Sequence, residues 1–243
     1  MNTIKSKITN TNGFTMVELM ITLAISSVVM IGVFSTFQNQ KKSYGIQEEV
    51  VVMQQNLRAA MNLMARELRM ASYSPVNHTG QIITAQTNLL EFSNEIDNSG
   101  TMQTIQYDLY DAYADGDTDI GREVDGANKR ALAENIDALE FVYLDTDGNT
   151  ITAPVAGTGL ADITTIQVSM LARAAQSEPD FLSTFDYFPA SCPQAPPPAV
   201  LNDACLAGSA WDFDGIGNNT NRFNDNFRRR LLTATIELRN PPL

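Results

Sequence analysis

Residues 19–40 contain no charged side chain, and the residue that precedes them is a glutamate, Glu18. Coiled as a helix rising about 1.5 Å per residue, those 22 positions span roughly 33 Å, enough for a hydrocarbon core of about 30 Å. The run reads as a membrane helix. Glu18 is its exception. A carboxylate at depth in a bilayer costs on the order of 2.5–3.5 kcal/mol on insertion scales, so it calls for a cation. An ordinary secretory signal would need an apolar core of about 7–15 residues and a small-residue cleavage site. This run is longer, and Ser35-Thr36-Phe37-Gln38 has no Ala-x-Ala pattern. A plain single-pass anchor with an incidental glutamate is the other alternative, and the burial cost of Glu18 weighs against it.

The polar segment before the run carries Lys5 and Lys7, then Gly13 and Phe14, with Glu18 as the fifth residue after Gly13. This N-terminus resembles those of type IV prepilins and of type II secretion pseudopilins. The resemblance implies cleavage by prepilin peptidase between Gly13 and Phe14, then N-methylation of Phe14. It also implies that Glu18 pairs with the free amine of a neighbouring subunit inside a filament. Lys5 and Lys7 on one side are balanced by Lys41 and Lys42 on the other, so loop charge does not orient the helix. The resemblance places the N-terminus inside.

The chain has 243 residues and a net charge of −12, and losing Lys5 and Lys7 with a leader would make it more acidic still. That balance argues against a nucleic-acid-binding surface. Cys192 and Cys205 lie beyond the apolar run. An even count in a domain facing the periplasm or exterior favours one disulfide between them, with two buried thiols as the alternative. His78 is the sole histidine, and no Gly-x-Ser-x-Gly elbow occurs, so catalysis finds no constellation to work with.

Beyond the run, Ile46, Val50, Met53, Leu57, Ala60, Met64, Leu68 and Ala71 recur at spacings of three and four, the pattern of an amphipathic helix with one dry face. No proline occurs between residue 14 and Ser74, and Pro75 is expected to close the helix. Short strands follow. Residues 81–85 and 89–92 flank Gln86-Thr87-Asn88 as a hairpin. Residues 102–110 alternate, with Ile105, Tyr107 and Leu109 on one face. Residues 139–144 lead into an Asp-Gly turn, Ile151 starts a weak return, and residues 163–171 and 231–238 are further strands. Residues 131–138 are read as a short helix or a loop. Residues 110–128 and 172–226 are read as long irregular loops, the second tied down by the expected bridge.

Asp115, Asp117 and Asp119 stand at alternate positions, as carboxylates do in hard-cation loops. Calcium is the cation such a loop would take, and a solvated acidic loop is the alternative. It is not an EF-hand, because Ile120 and Gly126 replace the loop glycine and closing glutamate. The C-terminal run from Phe227 through Arg228-Arg229-Arg230 to Asn240 resembles the ending of PilW-like minor pilins. Residues 141–148 and 163–173 also resemble that group and the GspJ-type pseudopilins. For the three arginines, a charged strand edge that resists pairing competes with an inter-subunit ion-pair role.

The expected fold is α+β and pilin-like, a long helix packed on a mainly antiparallel sheet. The expected parts are a leader (1–13), a membrane or filament-core helix (14–40), an amphipathic stalk (41–74) and a β-rich periplasmic domain (75–243). The resemblance implies a minor pilin that is not an enzyme and needs no cofactor unless calcium. Its partners would be other minor pilins, the major pilin, prepilin peptidase and the inner-membrane assembly platform. It would wait as a single-pass inner-membrane precursor. The alternatives are a minor pseudopilin of a type II secretion system and a membrane-tethered periplasmic binding protein.

Overall fold

Thr15 opens the first helix. Its side-chain oxygen accepts a hydrogen bond from the Glu18 N–H at 3.2 Å, and α1 then runs over Met16–Arg69. In this computed structural model the described residues are 13–75, 80–95, 100–183, 187–192, 211, 223 and 225–239. The chain divides into two compact units, Met1–Gln47 and Glu48–Leu243.

In the first unit the apolar side chains of α1 face outward, including Leu19, Met20, Ile25, Val33 and Phe34. Three hydroxyls of the run, those of Thr22, Ser27 and Thr36, are bonded within the helix. Ser27 Oγ donates to the Leu23 carbonyl at 2.6 Å and Thr36 Oγ1 to the Gly32 carbonyl at 2.9 Å. They add no unmet polar group to a surface otherwise made of hydrocarbon. α1 is long and apolar enough to cross a membrane.

In the second unit α1 buries Met53, Leu57, Ala60, Met61, Met64 and Leu68. All but Met61 lie on the expected stripe. Each large side chain removed from water there contributes about 1.5–3 kcal/mol. The helix ends at Arg69, five residues before the expected stop at Pro75 is approached. Its last turn tightens, with Met70 N–H donating to the Glu67 carbonyl at 2.9 Å and Ala71 N–H to that of Leu68 at 3.0 Å. Ser72 then turns left-handed, at φ 62, and gives its N–H to the Ser93 carbonyl at 3.0 Å. Capture by the sheet, rather than proline, stops the helix.

Among the described residues nine strands follow, all paired antiparallel: β1 (Ile82–Ala85), β2 (Leu90–Asn94), β3 (Gln103–Tyr110), β4 (Asp119–Val124), β5 (Arg130–Ala133), β6 (Ile136–Leu144), β7 (Thr150–Ile151), β8 (Thr165–Arg173) and β9 (Arg229–Glu237). They form a five-stranded meander in the order β1-β2-β3-β4-β5 and a four-stranded sheet in the order β7-β6-β8-β9. One core joins both sheets to the buried face of α1, with Phe92, Ile105, Tyr107, Phe141, Tyr143, Val168 and Met170 among its members. The fold is α+β, as expected.

The expected hairpin is β1–β2, and Ile105 and Tyr107 are buried in β3 as their alternation predicts. Two expectations are corrected. Residues 110–128 are not irregular throughout, because 119–124 form β4, in register with β3 from Ile105↔Val124 to Tyr110↔Asp119. Residues 131–138 are neither helix nor loop: they carry most of β5 and the start of β6. β4 reads Asp-Ile-Gly-Arg-Glu-Val, too charged to announce itself, and its pairing with β3 supplies what its own pattern lacks.

The helix–sheet seam holds one polar group of note. Glu67 of α1 accepts from Arg122 Nη2 at 2.8 Å and Nε at 3.0 Å, and the Tyr107 hydroxyl also donates to it. Burial and the neighbouring Glu67 carboxylate push the Tyr107 phenol far up from its ordinary value, so it stays protonated and keeps donating. Tyr107→Phe is expected to cost about 1.5–3 kcal/mol, the worth of a hydrogen bond to a charged partner. Urea unfolding of the full chain in detergent measures it, and a loss below about 0.5 kcal/mol would show that water replaces the hydroxyl.

Candidate functional site

Gly13 and Phe14 precede α1 in non-helical conformation, and Phe14 is 87% exposed. A Cβ built on Gly13 would meet nothing within 4 Å. Among the described residues no packing requires glycine there, which points to a demand from outside the molecule. Gly32 and Gly45 of α1 are open in the same way.

Glu18 lies in the first turn of α1 and is held by Thr15. Its Oε2 accepts from the Thr15 N–H and from the Thr15 hydroxyl, each at 3.1 Å, while the Glu18 N–H returns a bond to Thr15 Oγ1 at 3.2 Å. This is a capping box, Thr-x-x-Glu, with the carboxylate at the positive end of the helix dipole. It gives the carboxylate donors within its own chain, four residues from Phe14. Thr15 is a further residue of the site, and its Thr-x-x-Glu spacing to Glu18 is legible in the sequence.

The acidic loop behaves differently from a cation cage. Asp111 accepts from the N–H groups of Asp115 and Gly116, and Asp115 accepts from that of Asp117. Asp117 pairs with Arg173 at 2.5 Å. Asp119 is buried and spans the N–H groups of Ala112 and Asn135, both at 3.1 Å. Asp115, Asp117 and Asp119 do not converge. Among the described residues, no three His, Cys, Asp or Glu side chains are grouped to hold a metal ion.

Cys192 is buried beside Ala138, Leu171, Tyr187 and Trp211 in a second, smaller core, and it is not a free thiol. Cys205, its expected partner, lies outside the described residues, as does His78. The segment bearing Cys192 docks on β6 and β8. Ser191 gives its N–H and hydroxyl to Glu140, and the Ala190 N–H bonds Ser169 Oγ at 2.9 Å.

Three adjacent arginines have three fates. Arg228 pairs with Glu178 at 2.8 Å and stacks over Phe181. Arg229 is buried, with Asp137 and Asp225 each at 2.6 Å and the Phe223 ring beneath its guanidinium. Burial raises the Asp137 carboxyl above its ordinary value against the pull of Arg229. Asp225, although burial pushes it upward too, is held below by its hydrogen bonds and the Arg229 charge. Arg230 is exposed. Neither alternative offered for the run describes all three residues, because their neighbours come from distant strands and loops.

Residues 8–34 match the prokaryotic N-terminal methylation motif. That motif indicates a precursor of the type IV pilin and pseudopilin kind. It points to a structural subunit processed by prepilin peptidase and assembled with other pilins, rather than to an enzyme. With the single N-terminal apolar helix it describes a membrane-anchored protein. The chain has no match among curated proteins.

Proposed function

We propose that the protein is a minor pilin of a type IV pilus system. It waits in the inner membrane with its C-terminal domain in the periplasm, then joins sister minor pilins and the major pilin on the assembly platform to start a filament. Prepilin peptidase cuts between Gly13 and Phe14, and Phe14 is N-methylated. In the filament Glu18 exchanges its Thr15 donors for the amine of Phe14 on a neighbouring subunit and so sets the register. A cis-capped carboxylate four residues from the new terminus is the observation that carries this reading. An apolar helix in lipid has little to gain from association by hydrophobicity alone, so a charge pair and close approach at Ala24, Ser26, Ser27 and Gly32 direct the packing. We also propose that Cys192 and Cys205 bridge, which tethers the segment that docks on β6 and β8.

Glu18→Ala is expected to spare processing and sharply lower incorporation. Immunoblots of sheared filaments against membranes measure it, and a wild-type share in the filaments would remove Glu18 from the register role. N-terminal sequencing of the membrane-extracted chain is the broader test. A chain starting at N-methyl-Phe14 supports assembly, and one starting at Met1 makes it a tethered periplasmic protein. Loss of secretion with intact pili in a deletion strain would assign it instead to a type II secretion pseudopilus.

A further inference from the structure

Beyond Lys42 the sequence holds a single lysine, Lys129. Among the described residues of the second unit, the other ion pairs are made by arginines, at Arg122, Arg173, Arg228 and Arg229. An arginine serves a charge pair at least as well as a lysine, because its fork grips a carboxylate with two donors. What lysine has and arginine lacks is an amine that becomes a nucleophile once it gives up a proton.

Lys129 is placed for such chemistry. It stands just before β5, and its Nζ lies 2.6 Å from Asp108 Oδ2 in β3. Its side chain crosses β4 to get there. The β4 residue in register with Asp108 is Gly121, and a Cβ built on it would meet Lys129 Cδ at 2.7 Å, Tyr110 Cδ1 at 2.8 Å and Asp108 Oδ1 at 2.9 Å. Glycine therefore keeps the crossing open. A second carboxylate oxygen, Glu123 Oε2, lies 3.7 Å from the same Nζ, and the Tyr110 ring centre lies 5.5 Å from it. Gln106 Nε2 donates to Asp108 Oδ2 at 3.1 Å. Asp108 Oδ1 is buried and has no hydrogen-bond partner. A carboxylate kept only for its charge would give that second oxygen to a donor or to water. Here it is dry, which suits the carbonyl of a neutral group better than half of an anion.

From this juxtaposition we infer that Lys129 and Asp108 condense to an isopeptide bond, with Glu123 as the proton carrier. The Lys129 ammonium passes a proton to Glu123, and the freed electron pair attacks Asp108 Cγ to form the C–N bond. Gln106 steadies the charge that gathers on Oδ2 as Cγ becomes tetrahedral. The C–O bond to one carboxylate oxygen then breaks with its electron pair on oxygen. That oxygen leaves as water, with one proton returned by Glu123 and one more from the nitrogen. One ammonium and one carboxylate become one amide and one water, so neither an oxidant nor an activated co-reactant is needed. The fold supplies the driving proximity by holding the reacting groups in contact. The bond ties β3 to the start of β5 across β4, the strand whose own sequence is least strand-like.

The test takes the full chain, extracted from its envelope in detergent and reduced. Its intact mass is measured, and the denatured chain is digested with a lysine-specific endoproteinase. The wild type is expected to be one water lighter than its sequence requires once the state of its N-terminus is accounted for. Residues 43–243 are expected to stay in one piece, because Lys129 is no longer a free amine. Lys129→Arg keeps the charge pair, controls for folding and is expected at full mass. Asp108→Ala is expected at full mass and to be cut after Lys129 into 43–129 and 130–243. Glu123→Gln is expected to lower the bonded fraction at least about tenfold, the scale of a lost proton carrier. A wild-type chain of full mass that is cut after Lys129 overturns the inference. A missing water in a chain still cut there also overturns it, since that loss lies elsewhere. An undiminished bonded fraction in Glu123→Gln overturns the role given to Glu123. The outcome is independent of the filament reading, which the N-terminus of the same chain reports.

Discussion

Arg229→Ala is expected to destabilise the second unit by about 3–5 kcal/mol, the cost of leaving buried carboxylates without their cation. The side chain is 2% exposed and touches two acids at once. Its Nε meets Asp137 Oδ2, and its Nη1 and Nη2 grip both oxygens of Asp225, each at 2.6 Å. Asp137 comes from β6, Asp225 from the segment entering β9, and Phe223 packs under the guanidinium. Truncation therefore removes a charge, a bidentate fork and the cover of an aromatic ring in one step. Lysine would restore only the charge, because an ammonium cannot reproduce the fork. Trp211, the sole tryptophan, is buried near this cluster and reports unfolding by fluorescence. Arg230→Ala in the same assay is expected to change stability by less than about 0.5 kcal/mol. A loss below about 1 kcal/mol for Arg229→Ala would mean that water reaches Asp137 and Asp225 when the arginine is gone.

Gly13→Leu is expected to leave the chain at precursor length, with no mature form on a gel and no subunit in sheared filaments. The fold should not notice the change, since a side chain at that position meets nothing within 4 Å. Stability and effect on processing are thus cleanly separated. A block in processing at unchanged urea midpoint assigns the glycine to an outside reader, the peptidase that must bring the Gly13-Phe14 bond into its own active site. Normal cleavage of Gly13→Leu would remove the site from this bond and, with it, the amine that Glu18 is proposed to meet. The contrast with Arg229 is instructive. One residue is defined by what surrounds it in the chain, the other by the lack of any such surroundings.

Much of the helix was legible because its information is local. A charge-free run, a stripe at spacings of three and four, and the lack of proline are all read within a few turns. The signal for Thr15 is equally local, as the first residue of a Thr-x-x-Glu box. The hairpin β1–β2 and the alternation of β3 were legible for the same reason. β4 was not. Its charges and glycine conceal a strand whose existence depends on β3 beside it. The partners of the acidic loop were not legible either: Asp115 accepts from a backbone N–H, Asp117 pairs with Arg173 and Asp119 accepts from two backbone N–H groups.

Sequence alone therefore determined the apolar helix, its capped carboxylate and its dry stripe, since helical periodicity and capping couple residues at most a few positions apart. Tertiary structure decided which charges are spent and which are left over. Glu67 finds Arg122 across 55 residues, and Arg229 finds Asp137 across 92. Only folding brings such groups together. The physical reason is that a charge's fate depends on its neighbours in space, whereas a helix depends first on its neighbours in the chain.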